Sequence, residues 1–90
     1  MIEHLKSLAI FASVVETGSF RGAAARLNLS PSVVSEHISR LERELGVALL
    51  YRSTRSLSLT EKGEALYPQA QNMVRQAREG LSEFTSSAND

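Results

Sequence analysis

A mainly α fold, three helices and a two-stranded β wing ahead of one long helix, is predicted by three features of this 90-residue sequence. Apolar residues recur at three- and four-residue steps in separate stretches, the period of an amphipathic helix. A short Leu-Ser-Leu run follows a serine-flanked arginine, as in the return strand of a hairpin. Residues 19–44 also fall into three parts: a short alanine-packed helix, a tight polar joint and a second helix with a bare polar face. That arrangement reads as a helix-turn-helix.

The first helix is placed at residues 3–16, where Leu5, Leu8, Phe11, Ala12 and Val15 mark one face. Phe20 is expected to join them in the core. Ser19 is a good N-cap for the second helix, whose Ala23, Ala24 and Leu27 let a neighbouring helix approach closely. Asn28 suits its exit. Ser30 caps the third helix, with Pro31 at the first position, where a missing N–H costs nothing.

From Pro31 to Leu45 the stripe Val34, Ile38, Leu41 and Leu45 faces the core. Counting 100° per residue from it, Ser32, Glu36, Ser39 and Arg43 point the opposite way, with Ser35 and Arg40 on the flanks. Small hydroxyls on this outer face allow a backbone to lie close to base edges and phosphates. Gly46 ends the helix as a C′ glycine.

Leu49, Leu50 and Tyr51 are expected to form one strand and Leu57, Ser58 and Leu59 its return, joined by residues 53–56. The tip carries Arg55, with Arg52 just before it and no acid between Gly46 and Thr60. Arginine at such a tip can reach a phosphate or a narrow minor groove. Arg52 has a competing option, a structural pair with Glu42 or Glu44.

Thr60 can cap a last helix reaching about Phe84, along which Leu66, Ala70, Met73, Ala77, Leu81 and Phe84 draw one stripe. At ~1.5 Å per residue it extends about 35 Å, too long to bury that stripe on so small a globule. A partner is expected. Pro68 removes one hydrogen bond and should bend this helix, and Gly80 weakens its end. The resulting division is a DNA-binding domain over residues 1–60, a linker or dimerisation helix over 61–85, and a disordered tail or hinge start over 86–90.

Ten basic side chains balance ten acidic ones, which at first argues against a polyanionic partner. Residues 20–62, however, hold seven Lys and Arg against four Glu, a net +3, while the flanking segments are negative. The excess lies where nucleic acid would be touched, and is modest enough that binding should be salt-sensitive.

An enzyme is disfavoured. There are two histidines, His4 and His37, one aspartate at the end, and no glycine-rich phosphate loop or metalloprotease spacing. His37 flanks the core stripe, and the glutamate pairs suit helix surfaces. No cofactor or metal site is expected, since cysteine is absent and disulfides and thiolate ligands go with it. Neither an export signal nor an apolar run long enough for a bilayer is present, so no membrane role and a cytoplasmic location are expected. A dimerisation or protein-docking module without specific DNA binding is the alternative function, and the serine-faced helix and arginine wing weigh against it. A different winged-helix family is a third possibility.

Residues 3 to about 85 resemble the N-terminal winged helix-turn-helix and linker helix of LysR-type transcriptional regulators. The resemblance is carried, without gaps, by Phe11, Ser19-Phe20, Ala23-Ala24, Leu27, Ser30, Val34-Ser35, Ile38, Leu41-Glu42, Leu45-Gly46, Leu50, Arg52, Leu59-Thr60 and Gly63. It implies groove-facing positions at Pro31, Ser32, Ser35 and Glu36 and wing contacts at Arg52 and Arg55. Together with Ser30, Ser39 and Arg40 these form the expected DNA-binding set.

The resemblance further implies an antiparallel homodimer through the linker helix, placing two heads on successive turns of an interrupted palindrome, roughly 34 Å apart. It implies an effector-binding domain beyond this chain. Two positions depart from the family's commonest pattern. Pro31 stands where glutamine is frequent and cannot read adenine bidentately, and Glu36 stands where arginine or lysine is frequent. Glu36 can accept from cytosine N4.

Overall fold

The computed structural model describes the backbone of residues 2–53 and 56–89, and the side chains of residues 3–53 and 56–85. Its elements are α1 (Ile2–Thr17), α2 (Phe20–Leu27), α3 (Pro31–Leu45), β1 (Leu50–Arg52), β2 (Leu57–Leu59) and α4 (Glu61–Asn89). The two strands pair antiparallel, Leu50 opposite Leu59 and Arg52 opposite Leu57. The first strand thus starts one residue later than the sequence suggests.

Each helix boundary has a local cause. Gly18, at φ 80°, closes α1 with its N–H on the Val14 carbonyl. The Gly22 N–H donates to Ser19 Oγ at 2.8 Å, and Val33 N–H donates to Ser30 Oγ at 3.2 Å, the two N-caps expected. Asn28 leaves α2 in the left-handed conformation at φ 59°, and Gly46 leaves α3 at φ 72°. Asparagine and glycine tolerate this region best.

The core gathers Ile10, Phe11, Ala12, Val14, Ala23, Ala24, Val34, Ile38, Leu41, Leu49, Leu50 and Ala70. Helix α1 packs on α2, α3 and α4 together. That explains why residues 10–14 are buried without interruption rather than as a stripe, and why Ile10 and Val14 escaped the periodicity reading. Two expected core residues stand outside: Leu5 is 43% exposed and Leu45 46%. Both sit in terminal turns of their helices. His37 is buried against α1, within 3.2 Å of Ser7 Oγ.

Thr60 fastens the wing to α4. Its hydroxyl donates to the Ala48 carbonyl at 2.7 Å and accepts from the Gly63 N–H at 3.0 Å, while its own N–H donates to the Leu49 carbonyl. Gly63 lies so close that a Cβ there would meet Leu49 O at 2.1 Å. Only glycine allows that approach.

Helix α4 continues through Pro68 and past Phe84 to Asn89, so helix replaces the irregular tail expected from residue 86. No Pro or Gly follows Gly80, and the Thr85 hydroxyl bonds back to the Leu81 carbonyl within the helix. Its first half docks on the domain: Ala70 is fully buried, and Leu66, Tyr67 and Val74 pack against the core. The second half projects, giving the molecule a long dimension of 48 Å against 23 and 19 Å. No helix among the described residues is long and apolar enough to cross a membrane.

Two outcomes follow. Gly63→Ala should destabilise the chain by about 1–3 kcal/mol in denaturant unfolding, because backbone must move to admit the methyl group. The Tyr67 hydroxyl donates to Glu16 Oε2 at 3.2 Å, and desolvation with the Glu16 charge raises its pKa above the usual tyrosine value. Its contribution to stability should therefore hold below pH ~10 and disappear as pH climbs through the raised pKa, when phenolate would face carboxylate. Phenolate absorbance, taken as the difference between this chain and a Tyr67→Phe variant, should show Tyr67 ionising above the usual tyrosine pH.

Candidate nucleic-acid interface

Burial of Val34, Ile38 and Leu41 sets the rotation of α3 about its own axis. The opposite surface carries Ser32 and Glu36, both exposed, with Ser35 and Ser39 half-buried along it, while Ser30 and Pro31 stand exposed at the helix's amino end. These are six of the expected DNA-facing residues, gathered on the amino end and outer side of one helix. The capping bond to Ser30 leaves its hydroxyl 3.2 Å from Ser32 Oγ, so the amino end is a compact cluster of hydroxyls. Helix N-termini with such groups favour anionic oxygens.

Val33 lies on this amino turn too, 36% exposed. Sequence periodicity gave no reason to single it out, since it falls beside Val34 and off the core stripe. An exposed apolar side chain here suits contact with a thymine methyl group.

The cationic positions behave differently from one another. Arg40 donates from one nitrogen to Glu36 and from another to Glu3, each at 3.1 Å. Arg52 donates to Glu42 Oε1 at 3.0 Å and its guanidinium lies 5.3 Å from the Phe20 ring centroid. Of the two acids open to Arg52, Glu42 takes it, while Glu44 pairs with His4 across to α1. Arg43, on the outward face of α3, has no acidic partner among the described residues. Arg55 lies outside the described residues.

Glu42 does more than hold Arg52. Its other carboxylate oxygen accepts from the Leu49 N–H at 2.7 Å and the Leu50 N–H at 3.3 Å. One side chain thus ties the last turns of α3 to the first strand of the wing. The wing's far end is closed by Ser53, whose hydroxyl accepts from the Ser56 N–H at 3.0 Å. A shallow cleft lined by Gly18, Ser19, Phe20, Arg52, Ser53, Ser56 and Leu57 separates the wing from the start of α2.

The expected dimerisation residues divide along α4. Leu66 and Ala70 pack against the chain's own core, Met73 is half-buried, and Ala77, Leu81 and Phe84 are exposed, the last two at 70% and 79%.

Replacing Glu42 with alanine should cost about 1–3 kcal/mol, because two strand N–H groups and a guanidinium lose their acceptor. Urea unfolding measures the loss. Glu44→Ala, which removes only an exposed pair, should cost less than about 1 kcal/mol.

A family model described as "Bacterial regulatory helix-turn-helix protein, lysR family" matches residues 5–64. An uncharacterized HTH-type transcriptional regulator, y4mQ of Sinorhizobium fredii, is 50% identical over 82 residues, covering 91% of this chain and 28% of that protein. The HTH-type transcriptional activator AaeR of Escherichia coli is 46% identical over 78 residues, covering 87% of this chain and 25% of that protein. This chain therefore spans only about a quarter of the length of these relatives. Among solved structures, the BenM DNA-binding domain in complex with catB site 1 DNA superposes with a TM-score of 0.82 at 32% identity, covering 96% of this chain and 97% of that one. The oxidized form of Corynebacterium glutamicum OxyR gives a TM-score of 0.83 at 37% identity, covering 88% of this chain and 26% of that one.

Proposed function

The chain belongs to the lysR family of bacterial regulatory helix-turn-helix proteins, and from that premise we propose that it binds duplex DNA sequence-specifically as a dimer. The amino half of α3 enters the major groove, and the wing lies beside it on the backbone or minor groove. One observation carries this reading: the core stripe of α3 turns Ser32, Glu36 and Ser39 away from the core, with Ser35 at the edge of that face and Ser30 and Pro31 exposed at the helix's amino end. The similarity to a structure described as a BenM domain–DNA complex, at 32% identity, supports it.

Direct readout is sparse on this helix. Pro31 has no hydrogen-bond donor, the serines each offer one hydroxyl, and Glu36 can accept from cytosine N4. Selectivity then leans on Ser35, Glu36 and duplex shape. Arg43 and Arg55 serve the phosphates, while Arg52, held by Glu42 and Phe20, braces the wing for Arg55.

Two copies pair through α4. Leu66 and Ala70 anchor the helix to its own domain, and Met73, Ala77, Leu81 and Phe84 form the seam with a partner. The exposure of Leu81 and Phe84 on a projecting helix supports this division, since large apolar side chains gain most by leaving water. Antiparallel pairing places two heads on one face of the duplex and suits an interrupted palindrome. In the full-length protein a further domain binds an effector, and the whole acts as a cytoplasmic transcription regulator rather than an enzyme.

Selection from a random duplex pool tests the proposal, and should enrich two half-sites about one helical turn apart. Arg55→Ala should reduce the salt slope of log K by about one without reordering the enriched sites. Replacing Leu81 and Phe84 together by glutamate should yield a monomer by sedimentation and abolish the two-half-site preference. A chain that engages no duplex at low salt, even while dimeric, would sink the reading.

A further inference from the structure

Arg40 sits one turn beyond Glu36 on α3, and its guanidinium is shared between two acids. One nitrogen donates to Glu36 Oε1 and the other to Glu3 Oε2, each at 3.1 Å. Glu3 belongs to the first turn of α1, so the planar fork joins two helices. An exposed pair one turn apart holds its members weakly. A guanidinium anchored on a second helix loses much of that freedom and restricts the carboxylate it touches.

The contrast with Arg43 is informative. Both arginines lie on α3, yet Arg43 has no carboxylate partner among the described residues, whereas Arg40 has two. The Glu3–Arg40–Glu36 cluster carries a formal charge of −1, a poor phosphate grip. Glu36 meanwhile faces outward where a polyanion is proposed to lie. A bare carboxylate there would be driven aside by the phosphates, and a cation behind it offsets that repulsion.

We infer that Arg40 is a positioning residue: it holds the Glu36 carboxylate toward a base edge, and Glu3 fixes Arg40 from behind. Sequence preference is thereby set partly from α1, by a residue that touches no DNA. The inference rests on the major-groove reading of α3 proposed above. Its ligand chemistry is that of an exocyclic amino group, the cytosine N4 donor, meeting a carboxylate acceptor.

The test exploits opposite charges. Arg40→Gln removes a positive charge and Glu3→Gln removes a negative one, so any purely electrostatic role moves affinity in opposite directions and leaves base preference alone. Binding of the full chain to a selected duplex and to its single-base variants gives the preference at each position, with helical circular dichroism confirming the fold. At the position where Glu36→Ala abolishes discrimination, the unmodified chain should favour cytosine by about fivefold or more. Arg40→Gln should bring that ratio close to one, and Glu3→Gln should lower it in the same direction by a smaller factor.

Wild-type ratios in both variants would overturn the inference. So would a salt slope reduced by about one in Arg40→Gln with the ratio intact, the signature of a phosphate contact. If Glu36→Ala alters no position, Glu36 is no reader and the inference falls while DNA binding stands. Failure of the unmodified chain to bind any duplex defeats the functional reading itself.

Discussion

Rotation of α3 about its axis is the constraint on which the rest of the molecule depends. Val34, Ile38 and Leu41 are buried within two per cent of completely against α1 and α2, and a slip of one residue would turn every side chain by about 100°. That slip would bury Ser35 and expose the stripe. The hydroxyl-rich face is therefore an outcome of core packing, fixed before any ligand arrives. The caps reinforce it, since Ser30 and Gly46 define where the helix begins and ends.

The wing inherits its position from the same helix. Glu42 accepts from two N–H groups around the start of β1 and from Arg52 at its end, so the strand is registered against the last turns of α3 along its length. Thr60 and Gly63 then register α4 against the segment leading into β1. A chain of short polar contacts runs from the groove-facing helix to the projecting one. With few residues to bury, the domain uses α1 as a common floor for three helices, the economy that small cores require.

Features set by local chemistry were legible in the sequence. Ser19, Ser30, Pro31, Asn28 and Gly46 mark helix ends by their own side chains or backbone freedom, and each stands at the boundary it suggested. The stripe of α3 and the return strand were legible for the same reason, short-range periodicity. Long-range choices were not. Glu42 and Glu44 lie about 200° apart on one helix, and only the tertiary arrangement decides that the first reaches Arg52 and the second His4. Arg40 finds Glu3 across 37 positions of chain. The unbroken burial of residues 10–14 hid Ile10 and Val14, and Leu5 and Leu45, in the terminal turns of their helices, are exposed. Periodicity draws the stripe on α4 as one continuous surface, whereas its first half docks on its own domain and only the second projects.

The central claim is that the outward face of the amino half of α3 meets the base edges. The sequence has no cysteine, so a single Ser32→Cys variant can carry a tethered DNA-cleaving iron chelate. On a selected duplex, cuts should fall within each half-site with the strand offset of a major-groove source, and an Arg75→Cys conjugate on α4 should give no such pattern. Cuts offset as from the minor groove, or equally strong from both conjugates, would contradict the claim.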